Sequence, residues 1–235
     1  MSDLIALLSF GPTGWGDELA AGAAVTIGLS LATLPVGLVV GFFVSLAKQS
    51  ADPLIRRAAE IYTTIFRGLP ELLTLFVVYY GAQFGVSAIT KLVFGGPAQI
   101  SPFLAGMVAL GLVLSSYVSE AFASAFRGIP KGQYEGSSAI GLTPYQTMRL
   151  VILPQLIRLA LPSLSNLYLS MMKDTALVSA ITLNDLLRET TVAVGTTKQP
   201  FFFYFVTCMI YLFLSIVSSL GIWRIDAWAS RGTAR

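Results

Sequence analysis

The sequence predicts an all-α integral membrane protein with five transmembrane helices, a periplasmic N-terminus and a cytoplasmic C-terminus. Three observations carry this. Of 235 residues, 55% are hydrophobic and only 11% charged, whereas a soluble domain carries about 25% charged residues. Mean hydropathy is correspondingly high, at +0.75. Five segments are apolar over the roughly 20 residues that a bilayer core of about 30 Å requires. Lysine and arginine are also divided unevenly between the connections.

In order, the predicted spans are Leu19–Ala47, a second within Ile61–Ile89, then Pro102–Phe126, Leu159–Leu183 and Phe201–Trp223. Arg67-Gly68-Leu69-Pro70 interrupts the second, which is expected to begin as an interfacial helix and to enter the membrane after Pro70. Orientation follows from the basic residues of the short connections. One side holds eleven of them: Lys48, Arg56, Arg57, Arg67, Arg127, Lys131, Arg149, Arg158, Arg224, Arg231 and Arg235. The other holds three, Lys91, Arg188 and Lys198, with Asp185 and Glu189 beside Arg188. The richer side is cytoplasmic. Trp223 and Trp228 read as interfacial anchors of the fifth span. Gly37 and Gly41, behind Pro35, form a small-xxx-small pair that brings helix backbones close, or a chance spacing in a chain with 21 glycines.

Composition removes several function classes. The chain has no histidine and one cysteine, Cys208, inside an apolar run. An intrachain disulfide framework, a Cys/His metal site and Ser–His or Cys–His catalysis are thereby excluded. No Gly-x4-Gly-Lys-Ser/Thr loop is present to cradle a phosphate. The net charge of +3 reports topology rather than nucleic-acid binding. The opening MSDLIALLSF lacks a basic n-region, so no cleaved signal peptide is expected. Without linkers or repeats, residues 1–235 read as one transmembrane domain.

Between the third and fourth spans lies a polar, cationic island, Lys131–Pro154. Gly132 frees the chain after Pro130, and a short helix is expected from about Gln133 to Ile140, with Glu135 in its first turn facing the positive helix end. Gly141 is placed as its stop. Thr143-Pro144-Tyr145-Gln146 reads as a capping box with proline at the first helical position. The second short helix is expected to end before Leu153-Pro154. Tyr134, Leu142, Tyr145 and Met148 are left uncovered by this pair. Two occupants fit such a surface, a soluble docking partner or lipid headgroups.

The island also carries a specific pattern. Glu135-Gly136-Ser137, three residues, Gly141, nine residues, then Val151-Ile152-Leu153-Pro154 resembles the cytoplasmic signature of ABC importer permease subunits. In that signature, alanines stand at the positions of Gly136 and Ser137. Pro130-Lys131-Gly132-Gln133, Arg67-Gly68-Leu69-Pro70 and Lys173-Asp174-Thr175-Ala176-Leu177-Val178-Ser179 resemble the polar-amino-acid branch of the family. Where many relatives carry Arg-Gly, this chain has Ala123-Ser124.

The resemblance implies a permease for histidine, arginine or ornithine, or for opines such as octopine and nopaline. It implies that residues 131–154 couple to a cytoplasmic ATPase, with Glu135, Gly136, Ser137, Gly141, Leu142, Leu153 and Pro154 at the contact. The partners it implies are two ATPase copies, a homologous second permease subunit and a periplasmic amino-acid-binding protein. ATP and Mg²⁺ would bind the ATPase, and this chain would hold no cofactor, no metal and no catalytic residue.

Charges within the spans bear on transport, since one near the bilayer centre costs about 2.5–3.5 kcal/mol on insertion scales. Lys173 and Asp174 are adjacent, about 100° apart on a helix, and cannot pair cleanly with each other. Asn166, Ser170 and Lys173 share one stripe, and Ser163, Ser170 and Asp174 another. Glu71 and Glu120 join them as candidates for a pathway taking a cationic amino acid. Two plainer readings stay open: an intersubunit salt bridge for Lys173 and Asp174, and an i,i+4 pair between Glu71 and Arg67. At the level of mechanism, the rival to ATP-driven alternating access is an ATP-independent carrier or channel.

Overall fold

In the computed structural model, residues 4, 6–11, 13–94, 96 and 99–230 are described, the side chains of 94 and 228–230 excepted. Residues 1–3, Arg231, Arg235 and the side chain of Trp228, on which part of the sequence reading rests, lie outside this set. Among the described residues, five helices are long and apolar enough to cross a membrane: Gly16–Lys48, Glu71–Val93, Pro102–Gly128, Pro144–Ile181 and Pro200–Ala227.

Helix α1 (Gly16–Lys48) packs most extensively on α4 (Pro102–Gly128), the most buried span. The contact is made by small residues. Gly37 lies against Leu114, and a Cβ added at Gly41 would stand 2.5 Å from Val118 Cγ1 and 2.8 Å from the Ser115 carbonyl oxygen. Ser30, Thr33 and Ser45 on the same stripe are fully buried. Such a face lets two backbones approach where lipid offers no hydrophobic drive for association. The Gly37–Gly41 pair is therefore a packing device and not a chance spacing. On α4, Ser115, Ser116 and Ser119 each donate to the carbonyl three residues back, which satisfies buried hydroxyls inside their own helix.

The predicted break in the second span is present. Helix α2 (Pro53–Gly68) is capped by Asp52, which accepts from Leu54 N at 2.8 Å, and it ends at Leu69, which is extended. Helix α3 (Glu71–Phe94) starts after Pro70. Apolar Leu54, Ile61 and Ile65 are exposed on α2, as an interfacial helix requires. Tyr62 ties α2 to α4, its hydroxyl lying 2.6 Å from Ser115 Oγ and 3.1 Å from the Leu112 carbonyl oxygen.

The polar island differs from expectation in its second half. Helix α5 spans Lys131–Ala139, so Gly132 lies within it and Glu135 falls beyond its first turn. Gly141 adopts φ +83°, and Gly141 N and Leu142 N donate back to the carbonyls of Ser138 and Ser137. That is a complete Schellman stop. Thr143 and Gln146 form the predicted capping box, with Pro144 first in the helix. No second stop follows. The α-helical turn Pro144–Gln146 widens into a π-helical turn, Thr147–Ile152, which runs directly into α6 (Leu153–Asp174). The wider turn accommodates Pro154, which lacks an N–H and would otherwise press its ring on the carbonyl of Leu150. The helix that carries the fourth span thus begins at Pro144, 15 residues before the predicted start of the apolar stretch at Leu159, and no second stop separates the two.

After α6 the chain tightens into a 3-10 turn, Thr175–Ile181, and reverses at Thr182 in the left-handed region. Buried Asp185 caps α7 (Leu186–Thr197), accepting from Arg188 N at 3.0 Å. Leu186 N donates to Thr26 Oγ1 of α1 at 3.3 Å, where Gly22 leaves room for the close approach. Helix α8 (Pro200–Ser230) completes the fold.

Candidate translocation site

Glu71 and Asp174 are brought to one cavity. It measures about 320 Å³ and is lined by Glu71 of α3, Leu110, Val113, Leu114 and Tyr117 of α4, and Leu167, Ser170, Met171 and Asp174 of α6. Glu71 reaches it because Pro70 ends the extended break and α3 begins at the acid, where the helix dipole favours a carboxylate. Asp174 reaches it as the last residue of α6, just before the 3-10 turn. Ser170 lies one turn earlier on the same face. Two carboxylates, with Ser170 and Tyr117 as the other polar residues of the walls, form a surface fitted to a cation.

Asn166 and Lys173 do not line this cavity. They are exposed, with Ser163 and Ser170, along a polar stripe of α6. A polar stripe at that depth calls for water or another protein surface.

Glu120 belongs to a separate ionic cluster. Lys48, at the C-terminus of α1, contacts Glu120 Oε1 at 2.5 Å, and Arg67 Nη1, at the end of α2, contacts the same oxygen at 3.2 Å. Arg67 is thus committed to Glu120 and not to Glu71. Its guanidinium also lies 5.6 Å from the centroid of the Tyr117 ring, a cation–π distance. A second cavity of about 410 Å³, lined by Lys48, Gln49, Glu60, Glu120, Ala123, Phe126 and Arg127, adjoins the cluster. Sequence reasoning missed Lys48 and Tyr117 as neighbours of the site and offered Arg67 as a partner of Glu71, not of Glu120. Only the spacing of Tyr117 three residues before Glu120 offered a signal.

The polar island divides into an inner and an outer face. Tyr134 and Met148 pack on the core cluster that contains Phe126, Ile129, Ile152 and Leu156, so they are covered, contrary to expectation. Ser137 is buried, and its hydroxyl donates to the Gln133 carbonyl at 2.6 Å. Gln155 Nε2 donates to Gln133 Oε1 at 3.0 Å, joining α5 to α6. Leu142 and Leu153 are half-buried. The outer face presents Glu135, Gly136, Gly141 and Pro154, with Ile140 76% and Tyr145 70% exposed.

The chain matches known proteins along most of its length. Residues 33–226 match the family of binding-protein-dependent transport system inner membrane components. The nopaline transport system permease protein NocQ of Agrobacterium fabrum is 36% identical over 97% of this chain and 98% of its own. The histidine/lysine/arginine/ornithine transport system permease protein HisQ of Escherichia coli is 34% identical over 94% of this chain and 97% of its own. A solved structure described as an amino acid ABC transporter with histidines superimposes with a TM-score of 0.76 at 29% identity, covering 91% of this chain and 94% of that one. A methionine ABC transporter in an inward-facing conformation, at 19% identity and TM-score 0.70, shares the fold. With its five apolar spans and this match, the chain belongs to the binding-protein-dependent transport system inner membrane components.

Proposed function

We propose that this protein is the permease subunit of an ATP-driven importer for basic amino acids or opines and that it forms half of the translocation pathway by alternating access. The observation that carries this reading is the single cavity holding Glu71, Asp174 and Ser170 among apolar walls. A cationic side chain or ammonium is stabilised there by charge-assisted hydrogen bonds. The names of the relatives, which transport nopaline or histidine, lysine, arginine and ornithine, support the same substrate class.

The N-terminus is periplasmic and the C-terminus cytoplasmic, on the distribution of lysine and arginine. The 131–154 segment is then the cytoplasmic coupling element, and its outer face seats a separate ATPase, present in two copies and holding ATP and Mg²⁺. Glu135, Gly136, Gly141 and Pro154 make that contact, while Ser137, Leu142 and Leu153 hold the element on the core. The exposed stripe through Asn166, Ser170 and Lys173 meets a homologous second permease subunit across the pathway. A periplasmic binding protein delivers the substrate. Uptake of radiolabelled arginine into proteoliposomes containing the whole complex tests the reading. The account expects uptake only with ATP and the binding protein together, and uptake by this chain alone would refute it.

A further inference from the structure

The cavity between α3, α4 and α6 is lined by two acids and by Ser170 and Tyr117, but among the described residues no lysine or arginine lines it. An amino acid carries a carboxylate as well as its cationic groups. Moved into a low-dielectric site, that carboxylate needs a positive partner, since an unpaired buried charge is the most expensive group to leave there. Lys173, next to Asp174 in the chain, is exposed on the polar stripe of α6, and the base in contact with a wall residue is Arg67. Its guanidinium lies 5.6 Å from the ring centroid of Tyr117, itself a wall residue, and contacts Glu120 at 3.2 Å.

We propose that Arg67 is the carboxylate-recognition residue of this cavity, held in reserve on Glu120 and transferred to the substrate when a zwitterionic amino acid enters. The inference rests on the reading of the cavity as the substrate site.

Three features of the geometry favour the transfer. First, Glu120 does not become an orphan when Arg67 leaves, because Lys48 holds the same oxygen at 2.5 Å and is the more buried of the two bases, 12% exposed against 45%. The half-exposed arginine is the mobile partner. Second, Arg67 and Glu71 stand on opposite sides of the α2–α3 break at Leu69-Pro70. A rotation there carries the base toward the acid without unwinding either helix. Third, the planar guanidinium matches a carboxylate in a two-point fork while keeping its face on Tyr117. An amino acid would then lie with its carboxylate toward Arg67 and its cation toward Glu71 and Asp174.

The test uses the purified permease–ATPase complex without binding protein, and measures direct binding of L-arginine and of agmatine. Agmatine has the same guanidinium and alkyl chain but no carboxylate. Wild type is expected to bind arginine about tenfold or more tightly than agmatine, the worth of one charge-assisted hydrogen-bonded pair. Arg67→Gln should bring arginine to within about twofold of agmatine and leave agmatine unchanged. Glu120→Gln, which frees Arg67 and keeps an acceptor for Lys48, should tighten arginine alone, whereas a merely structural cluster would weaken both ligands. Retention of the arginine preference in Arg67→Gln, or its absence in wild type, overturns the proposal. Glu71→Gln separates the two readings. It weakens both ligands if the cavity is the substrate site, and if both bind undiminished the cavity reading fails regardless of Arg67.

Discussion

Gly41 of α1 lies so close to Val118 of α4 that a Cβ on the glycine would stand 2.5 Å from Val118 Cγ1 and 2.8 Å from the backbone oxygen of Ser115. The valine can turn, but the carbonyl cannot. This part of the α1–α4 seam holds together the two helices that end at Lys48 and carry Glu120. Gly41→Val is therefore expected to destabilise the protein by about 1–3 kcal/mol through overpacking. At roughly 2–4 °C per kcal/mol for a chain of this size, the melting temperature of the detergent-solubilised complex should fall visibly. Gly28, with no atom near its absent Cβ, serves as the control. Gly28→Ala should leave the melting temperature unchanged or slightly raised.

Asp185 makes stability depend on pH in an unusual direction. Burial lifts its carboxyl from the ordinary 3.8 to about 6, against the pull of the Arg188 and Leu187 backbone N–H groups and with a smaller push from Glu189. Between those two values the folded protein holds a proton that the unfolded chain has released. Stability attributable to this group is therefore full below about 4, is lost as pH rises to about 6, and is flat above that. The whole effect is on the order of 3 kcal/mol. Asp185→Asn keeps the helix cap and removes the titration. Its melting temperature should exceed that of wild type at pH 7.5, and the gap should close toward pH 4.5. A gap independent of pH would assign the difference to packing.

The outer face of the 131–154 segment predicts a coupling phenotype without a folding one. Glu135 is exposed, so reversing its charge leaves the fold intact, surface substitutions being worth about 0.5 kcal/mol or less. Glu135→Arg is expected to abolish co-purification of the ATPase, while the permease remains monodisperse and thermally unchanged. An ATPase that remains bound and coupled in Glu135→Arg would remove the segment from the contact.

Spans, the break before Pro70, the Schellman stop at Gly141 and the capping box at Thr143 were legible because each is set by local chemistry. An apolar run, a proline and a glycine act on their own neighbours. Pro154 misled for the same reason. Its local effect is to break a helix, but the π-helical turn at Thr147–Ile152 absorbs it, and no residue type announces that turn. The partners of Glu120 were hidden because the Lys48 contact joins positions 72 residues apart. Only the packing of α1 on α4 decides which base reaches which acid. Gly136 and Ser137, the two positions at which the sequence departs from the signature it resembles, also separate in space. Ser137 faces the core and must be small, whereas a Cβ at Gly136 would meet nothing within 4 Å. Alanine is therefore accommodated at Gly136, and nothing in the structure requires glycine there.

The central claim is that Glu71 and Asp174 hold the cation of the transported solute. The most direct test is arginine uptake by proteoliposomes containing the assembled complex with the Glu71→Gln/Asp174→Asn permease, its ATP hydrolysis measured in parallel. Both substitutions keep shape and remove charge. The account predicts uptake reduced by about tenfold or more, the loss of at least one charge-assisted interaction, with the ATPase still bound and hydrolysing ATP. Uptake at the wild-type rate by the assembled double variant would contradict it.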